Sequence, residues 1–193
     1  MKRVVAVVLS MSLAIGMSGC ASDPLAEQFR SGTNKNYISG DGSVTEFQGE
    51  RSVGEQWVAE TFDGQVLDSK NLLGQVVVLN FWYAGCAPCR AETPDLADLA
   101  AEYEGKGVQV VGVNVRDTAE TALAFARNHN LNYPSVMDIE FGSVVQAYTG
   151  VVSPSAVPTT LVINAKGEIT ARVLGRFVPS TLRSLVETAL EGK

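Results

Sequence analysis

The chain has 193 residues, of which 46% are hydrophobic and 19% are charged, a composition that excludes a disordered chain, a collagen and a polytopic membrane protein and fits one globular domain. The net charge is −6 and no basic tract could neutralise the phosphates of a nucleic acid, so we expect no nucleic-acid partner. Three cysteines and one histidine are too few for a disulfide-stapled scaffold or a metal cage, so we expect no metal site.

The first twenty residues are typical of a lipoprotein signal. Two basic residues precede an apolar run over 4–17, which is shorter than the roughly 20 residues that a membrane-crossing helix needs. Small residues stand directly before Cys20, an arrangement that resembles the lipobox of bacterial lipoproteins and predicts a signal peptide over 1–19 and a lipid on Cys20. Met17 is less usual than leucine at its position, so simple secretion with a free Cys20 is the alternative. Both interpretations predict an exported domain.

Residues 20–54 are predicted to form a flexible tether behind the lipidated Cys20. The stretch is rich in Ser, Gly, Asn and charged residues and has no sustained period of 2 or 3.6, so it could not bury a core. The folded domain is predicted over 55–193. It opens with a hairpin whose extended stretches, 56–61 and 65–67, are joined by a turn at Asp63-Gly64.

The rest of the domain alternates strands with helices. Val-rich runs at 75–81 and 108–115 are typical of central strands covered on both faces, and a helix with one apolar face lies between them. This order predicts an α/β sandwich around a mixed sheet. The later predicted elements are a helix from a capping-box-like Asp117 to about Asn128, a strand at 133–137, a helix at 140–148, a hairpin of 161–163 with 169–174, and a final amphipathic helix that includes Leu182 and Leu190.

The sequence Cys86-Ala87-Pro88-Cys89 lies between the first Val-rich strand and this helix. Unpaired N–H groups and the helix dipole stabilise a thiolate at a helix N-terminus, so Cys86 is the predicted nucleophile. Cys89 lies one helical turn further on and is the predicted resolving thiol, while Ala87 and Pro88 form the active-site turn, where a proline leaves no N–H unpaired. A disulfide loop this short would constrain little of the unfolded chain, which favours a redox-active pair, and no other cofactor is expected.

His129 is the single histidine, about forty residues from the cysteine pair, so a structural zinc site is disfavoured. We expect its side chain to be exposed. A Ser-His-Asp hydrolase would also need this histidine, and no G-x-S-x-G motif is present.

Two segments, NFWYAGCAPCRAETP at 80–94 and SAVPTTLVIN at 155–164, resemble the thioredoxin superfamily. More narrowly, they are similar to the exported, membrane-anchored TlpA/ResA-like thiol-disulfide oxidoreductases, over about 57–190. The resemblance implies a thioredoxin-like sandwich: a central mixed sheet flanked by helices, an N-terminal β-hairpin, and a central helix-containing insertion at about 117–151.

The resemblance also implies roles for individual residues. The two cysteines match the attacking and resolving pair, and Pro158 matches a cis-proline that faces the disulfide, with the backbone of Val157 presented to an incoming substrate peptide. Pro94 matches a proline that kinks the active-site helix. Glu92 matches an acid that tunes the cysteine pair in the ResA-like branch; an exposed helix residue is the alternative.

Two departures from the family pattern bear on the site. Thioredoxins carry an acid where Asn80 stands, so Glu92 or water would have to accept the proton of the resolving cysteine. Many relatives have tryptophan where this chain has Gly85, and loss of that ring predicts a more open approach to the nucleophile. Trp82 and Tyr83 remain as aromatic walls, and Trp82 is predicted to contact the substrate, with core packing as the alternative.

Together these features predict a monomeric thiol-disulfide oxidoreductase held by its lipid at the outer face of the cytoplasmic membrane. The resemblance implies that it reduces disulfides of exported proteins, apocytochrome c among them, with electrons from a membrane thiol transporter. A thiol peroxidase of the same fold is disfavoured because the pattern P-x-x-x-T-x-x-C does not precede Cys86. A copper- or haem-handling lipoprotein is also disfavoured, because copper carriers of this fold have C-x-x-x-C and a well-placed histidine.

Overall fold

The structure is a computed structural model that describes residues 37–38, 42–49, 51–153 and 156–192. The predicted signal peptide over 1–19 and the predicted lipid on Cys20 lie outside the described residues. Within the described ranges, no helix is both long enough and apolar enough to cross a membrane.

Within the described residues, eight strands build a six-stranded mixed sheet and a separate hairpin. The strand order in the sheet is β1-β8-β7-β4-β5-β6, with β4, β5 and β6 parallel and with β7, β8 and β1 added antiparallel. The hairpin of β2 and β3 is antiparallel, as predicted. The strands are β1 (Ser43–Glu46), β2 (Val58–Glu60), β3 (Val66–Asp68), β4 (Val76–Trp82), β5 (Val108–Asn114), β6 (Ser135–Met137), β7 (Thr159–Ile163) and β8 (Ile169–Leu174).

In the part of the chain that the structure describes, four α-helices and one short 3-10 helix cover the sheet, which confirms the predicted α/β sandwich. Alternate residues of β4 face opposite sides. Val76 and Val78 pack with apolar residues of the first and last helices, whereas Val77 and Leu79 pack with residues near the hairpin, the 3-10 helix and the third helix. The helices are α1 (Ala87–Glu102), α2 (Ala119–Asn128), α3 (Ser143–Ala147) and α4 (Pro179–Glu191), and the 3-10 helix is Ser69–Leu72.

Strand β1 lies inside the predicted tether of 20–54, so that prediction was wrong for these residues. β1 pairs with β8 from Ser43 opposite Leu174 to Glu46 opposite Ala171. Its sequence, SVTE, contains a single apolar residue. An edge strand is held mainly by main-chain hydrogen bonds, so it needs little side-chain pattern, and none was there to be recognised.

The N-cap of α2 also differs from the prediction. The helix begins after Thr118, whose side chain accepts a hydrogen bond from the Thr121 N–H. Asp117, the predicted cap, points to a different partner: its Oδ2 accepts the Ala84 N–H at 2.6 Å. Asp117 therefore stabilises the loop that precedes the cysteine pair and does not cap α2.

Candidate active site

The cysteine pair lies where β4 ends and α1 begins, and it forms a disulfide. Cys86 is the N-cap of α1, and its Sγ accepts the backbone N–H of Cys89 at 3.2 Å. Ala87 and Pro88 are the first two residues of the helix, and the helix continues through Pro94. The predicted position of Cys86 at the helix N-terminus is confirmed, so a backbone N–H is already directed at the sulfur that would become the thiolate.

Asp117 and Asn114 fix the loop between Trp82 and Cys86 by hydrogen bonds. Asn114 ends the neighbouring strand β5, and Asp117 follows it. Asp117 Oδ2 accepts both the Ala84 N–H and the Asn114 side-chain N–H, the second at 2.7 Å. Asn114, at the end of β5, is buried, and its Oδ1 accepts the Asp117 N–H at 2.8 Å. Sequence reasoning missed this pair, although polar residues at the carboxyl end of a strand parallel to β4 were a usable signal.

Glu92 is completely buried, so the alternative of an exposed helix residue is wrong. Its Oε1 accepts a hydrogen bond from the Asn80 side-chain N–H at 2.8 Å, whereas Oε2 has no hydrogen-bond partner among the described residues. Burial raises the pKa of Glu92 to about 8; the Asn80 hydrogen bond opposes this rise, as do the backbone of Phe177 and the charge of Arg176. A carboxyl with this pKa holds and releases a proton near neutral pH.

Asn80 connects Glu92 to the sheet. Its side-chain nitrogen also donates to Thr160 Oγ1 at 3.0 Å, so both of its hydrogens are used within the core. Because residues three apart on a helix lie on the same face, Glu92 is on the face of α1 that carries Cys89. An amide, Asn80, therefore holds the buried acid Glu92 on the face of α1 that carries Cys89.

The peptide bond Val157–Pro158 is cis, as the resemblance implies. Val157 belongs to a buried group that we call the active-site cluster, and its carbonyl accepts a backbone N–H from Ile38 at 2.7 Å. A contact of Val157 or Pro158 with substrate stays a prediction. The active-site cluster consists of Trp82, Cys86, Cys89, Ala122, Phe125 and Val157.

Trp82 is buried in this cluster, which agrees with the core-packing alternative, and a contact of its ring with substrate stays a prediction. Its indole N–H donates to Ser135 Oγ at 2.8 Å, and its ring centroid lies 4.8 Å from that of Phe125. The β5 residue Gly112 makes this possible, since a Cβ there would lie 2.9 Å from the indole nitrogen. Tyr83 is only partly buried, and the Arg116 guanidinium lies over its ring at 4.8 Å.

The predicted open approach to Cys86 is also wrong. Gly85 is exposed, but Cys86 is 0% exposed and Cys89 is 1% exposed. Tyr37, from the segment that precedes β1, packs against the active-site cluster that contains both cysteines. Beside Gly85 itself the nearest side chain is Tyr83, whose Cε2 would lie 3.3 Å from an added Cβ.

His129 is only partly exposed, because it stacks on Phe125 with a centroid distance of 4.2 Å. Across the part of the chain that the structure describes, no three His, Cys, Asp or Glu side chains come together in a group that could hold a metal.

Comparison with known proteins identifies the family of this chain. A model described as the AhpC/TSA family matches residues 51–172. The thiol-disulfide oxidoreductase ResA of Bacillus subtilis (strain 168) is 31% identical over 152 residues, which cover 76% of this chain and 82% of ResA.

Two solved structures are similar in both sequence and fold. A DsbF homologue from Corynebacterium diphtheriae is 31% identical with a TM-score of 0.69, over 75% of this chain and 92% of that one. A secreted thiol-disulfide isomerase from Corynebacterium glutamicum is 27% identical with a TM-score of 0.70, over 76% of this chain and 90% of that one. Since the family model spans well over half of the chain and the ResA match extends over most of both proteins, the chain belongs to the AhpC/TSA family of thioredoxin-fold proteins, among its thiol-disulfide oxidoreductases.

Proposed function

We propose that the protein reduces disulfide bonds of exported proteins through Cys86 and Cys89. The observation that carries this proposal is the place of Cys86 at the N-cap of α1, where its Sγ accepts the Cys89 N–H. In the reduced protein the same N–H and the helix dipole would stabilise a Cys86 thiolate, which favours Cys86 as the attacking sulfur.

The proposed reaction has two exchange steps. The Cys86 thiolate attacks one sulfur of a client disulfide, forms a Cys86–client bond and releases the other client sulfur as a thiolate. Cys89 then loses its proton and attacks Cys86 Sγ, which closes the Cys86–Cys89 disulfide and releases the second client sulfur. The client gains the two electrons that the cysteine pair loses, and its thiolates take up protons from water. The proposed acceptor of the Cys89 proton is Glu92 in its ionised form, which predominates above about pH 8.

Export is supported by the signal-like residues 1–19 and by the secreted relative from Corynebacterium glutamicum. A lipid on Cys20 would hold the monomeric protein at the outer face of the cytoplasmic membrane. There it would receive electrons from a membrane thiol transporter, and apocytochrome c is one proposed client. A Cys20→Ala variant that stays with the membrane fraction would contradict the anchor.

Trapping of mixed disulfides tests the exchange. The exported Cys89→Ser variant is expected to accumulate adducts on Cys86, because the thiol that would release them is missing. Mass spectrometry of the adducts identifies the clients. Cys86→Ser is the matched control, since it lacks the nucleophile but has the same number of thiols. The proposal fails if Cys89→Ser carries no adducts, or no more than the control.

The reductive direction rests on the resemblance to ResA-like proteins. It predicts a midpoint potential for the Cys86–Cys89 couple near or below about −230 mV, whereas oxidants that introduce disulfides lie near about −120 mV. Titration of the full chain against defined thiol buffers measures this potential. A value close to that of the oxidants would reverse the proposed direction without changing the exchange chemistry.

A further inference from the structure

Residues 37–38, just before β1, lie against the active-site cluster. Ile38 is 4% exposed, and its backbone N–H donates to the Val157 carbonyl at 2.7 Å. Tyr37 is partly buried and packs against the same cluster. Ile38 therefore contacts the loop before β7 through one main-chain hydrogen bond, and Tyr37 adds an apolar contact with the active-site cluster.

Gly175 leaves room for the Ile38 side chain. A Cβ at position 175 would lie 3.0 Å from Ile38 Cγ2, so a larger residue would displace that side chain. The φ of Gly175 is +85°, a conformation that favours glycine. Ile38 thus occupies a defined position between Val157 and Gly175.

The chain beyond this contact is fixed to the same domain. The Gly42 N–H donates to the Arg176 carbonyl at 2.7 Å, and β1 then pairs with β8. A ligand that is tethered close to its site has a high effective concentration there, so even a weak contact is occupied much of the time.

The same groups are the ones that a client must reach if the proposed function holds. An extended peptide binds through main-chain hydrogen bonds, and its N–H groups need acceptors on the protein. Here the Val157 carbonyl is already used by Ile38, and neither Cys86 nor Val157 exposes more than 1% of its surface. A client sulfur can therefore approach Cys86 only after this part of the structure has opened.

We propose that Tyr37 and Ile38 are an internal ligand of the client-peptide site, which they occupy until a client displaces them. A client that competes must supply a backbone N–H for Val157 and an apolar side chain for the position of Ile38. The client class is therefore an extended, apolar segment beside an exposed disulfide. The part of this inference that concerns clients rests on the proposed function, whereas the covering of Cys86 does not.

The Ile38→Asn variant of the full chain tests the contact. A neutral amide is unfavourable where Ile38 is buried, and it adds no charge that would alter the Cys86 thiolate. We expect Cys86 in the reduced variant to react with iodoacetamide about tenfold faster than in the wild type. This factor corresponds to a loss of about 1.4 kcal/mol in the free energy with which Ile38 binds at its position. The KM for a peptide that contains a disulfide beside apolar residues should fall by a similar factor. Val44→Asn is the matched control, since Val44 lies in β1 with 43% of its surface exposed.

The measurements distinguish a failure of the internal-ligand proposal from a failure of the proposed function. Equal alkylation rates at Cys86 in the wild type and in Ile38→Asn would overturn the internal ligand, whether or not the protein reduces disulfides. Hydrogen exchange needs no variant: the Ile38 N–H of the wild type should exchange slowly, and exchange at the rate of an unstructured amide would also overturn it. If alkylation is faster in Ile38→Asn but neither protein reduces the peptide, the covering role stands and the proposed function fails.

Discussion

Glu92 brings an ionisable group into the core one helical turn after Cys89. Its pKa is about 8 in the folded protein, against an ordinary value of 4.5, so the folded state holds a proton that the unfolded chain releases at neutral pH. The destabilisation that results is absent below about pH 4.5, where both states are protonated. It grows as the pH rises and is complete above about pH 8, where both states are ionised.

The Glu92→Gln variant is expected to lose this pH dependence. Wild type and variant should unfold with similar free energies at pH 5, but at pH 8 the variant should be more stable by a few kcal/mol, since each pKa unit corresponds to about 1.4 kcal/mol. Urea denaturation of the oxidised proteins at both pH values measures the difference. Glu104→Gln, an exposed residue just after α1, is the control. The same difference at pH 5 and pH 8 would contradict a buried, titrating Glu92.

The sequence motif predicted the two cysteines but not the surroundings of Glu92. Cys86 and Cys89 were recognisable because the C-x-x-C spacing and the start of a helix are both local features. Glu92 follows Cys89 and precedes Leu96 and Leu99 at helical spacing, so its position on the buried face could have been read from the sequence. The burial of Trp82 could not, because it depends on contacts with distant Ser135 and Phe125.

The close packing of strand β5 against β6 and Trp82 depends on one glycine. Gly112 lies opposite Ser135 of β6, and the Trp82 indole reaches Ser135 across it. A Cβ at this position would lie 2.5 Å from Ser135 Oγ and 2.9 Å from the Trp82 nitrogen, and neither atom is the end of a long flexible side chain. The close approach of the two strands therefore has no room for any larger residue.

The Gly112→Ala variant is expected to unfold with about 1–3 kcal/mol less free energy than the wild type, the usual cost of adding volume to a packed core. The NMR signal of the Trp82 indole N–H should shift as its hydrogen bond to Ser135 is lost. Ser135→Ala removes the hydrogen bond without adding volume and is the control. If Gly112→Ala is no less stable than Ser135→Ala, the steric argument is wrong.

The predictability of an element depended on where its stabilising contacts come from. The buried strands β4 and β5 were found from their Val-rich sequences, because strands covered on both faces must be apolar along their whole length. β1 was missed, because its pairing with β8 uses main-chain groups that every sequence has. The short helix α3 and strand β6 were predicted a few residues too long, since only tertiary contacts define their ends.

For the molecule as a whole, the folded domain includes β1 and therefore starts earlier in the chain than the predicted residue 55. A chain that begins at residue 42 keeps β1, whereas one that begins at residue 51 leaves the β8 edge unpaired from Ala171 to Leu174. We expect the shorter chain to have a lower urea midpoint and to associate as its concentration rises, because an unpaired strand edge is a template for pairing with another chain. Denaturation and analytical ultracentrifugation of the two chains measure both effects. Equal midpoints would mean that β1 contributes nothing to stability.

In the proposed reaction, reduction of the Cys86–Cys89 disulfide takes up protons as well as electrons, and Glu92 adds to that uptake if its pKa differs between the two redox states. Each proton that is taken up together with two electrons changes the midpoint potential by about 30 mV per pH unit. The potential therefore falls as the pH rises. The slope of potential against pH changes at the pH values where reduction also changes the protonation of Glu92. A potential measured at one pH characterises this protein only at that pH. In the cell, its driving force follows the acidity of the compartment in which it works.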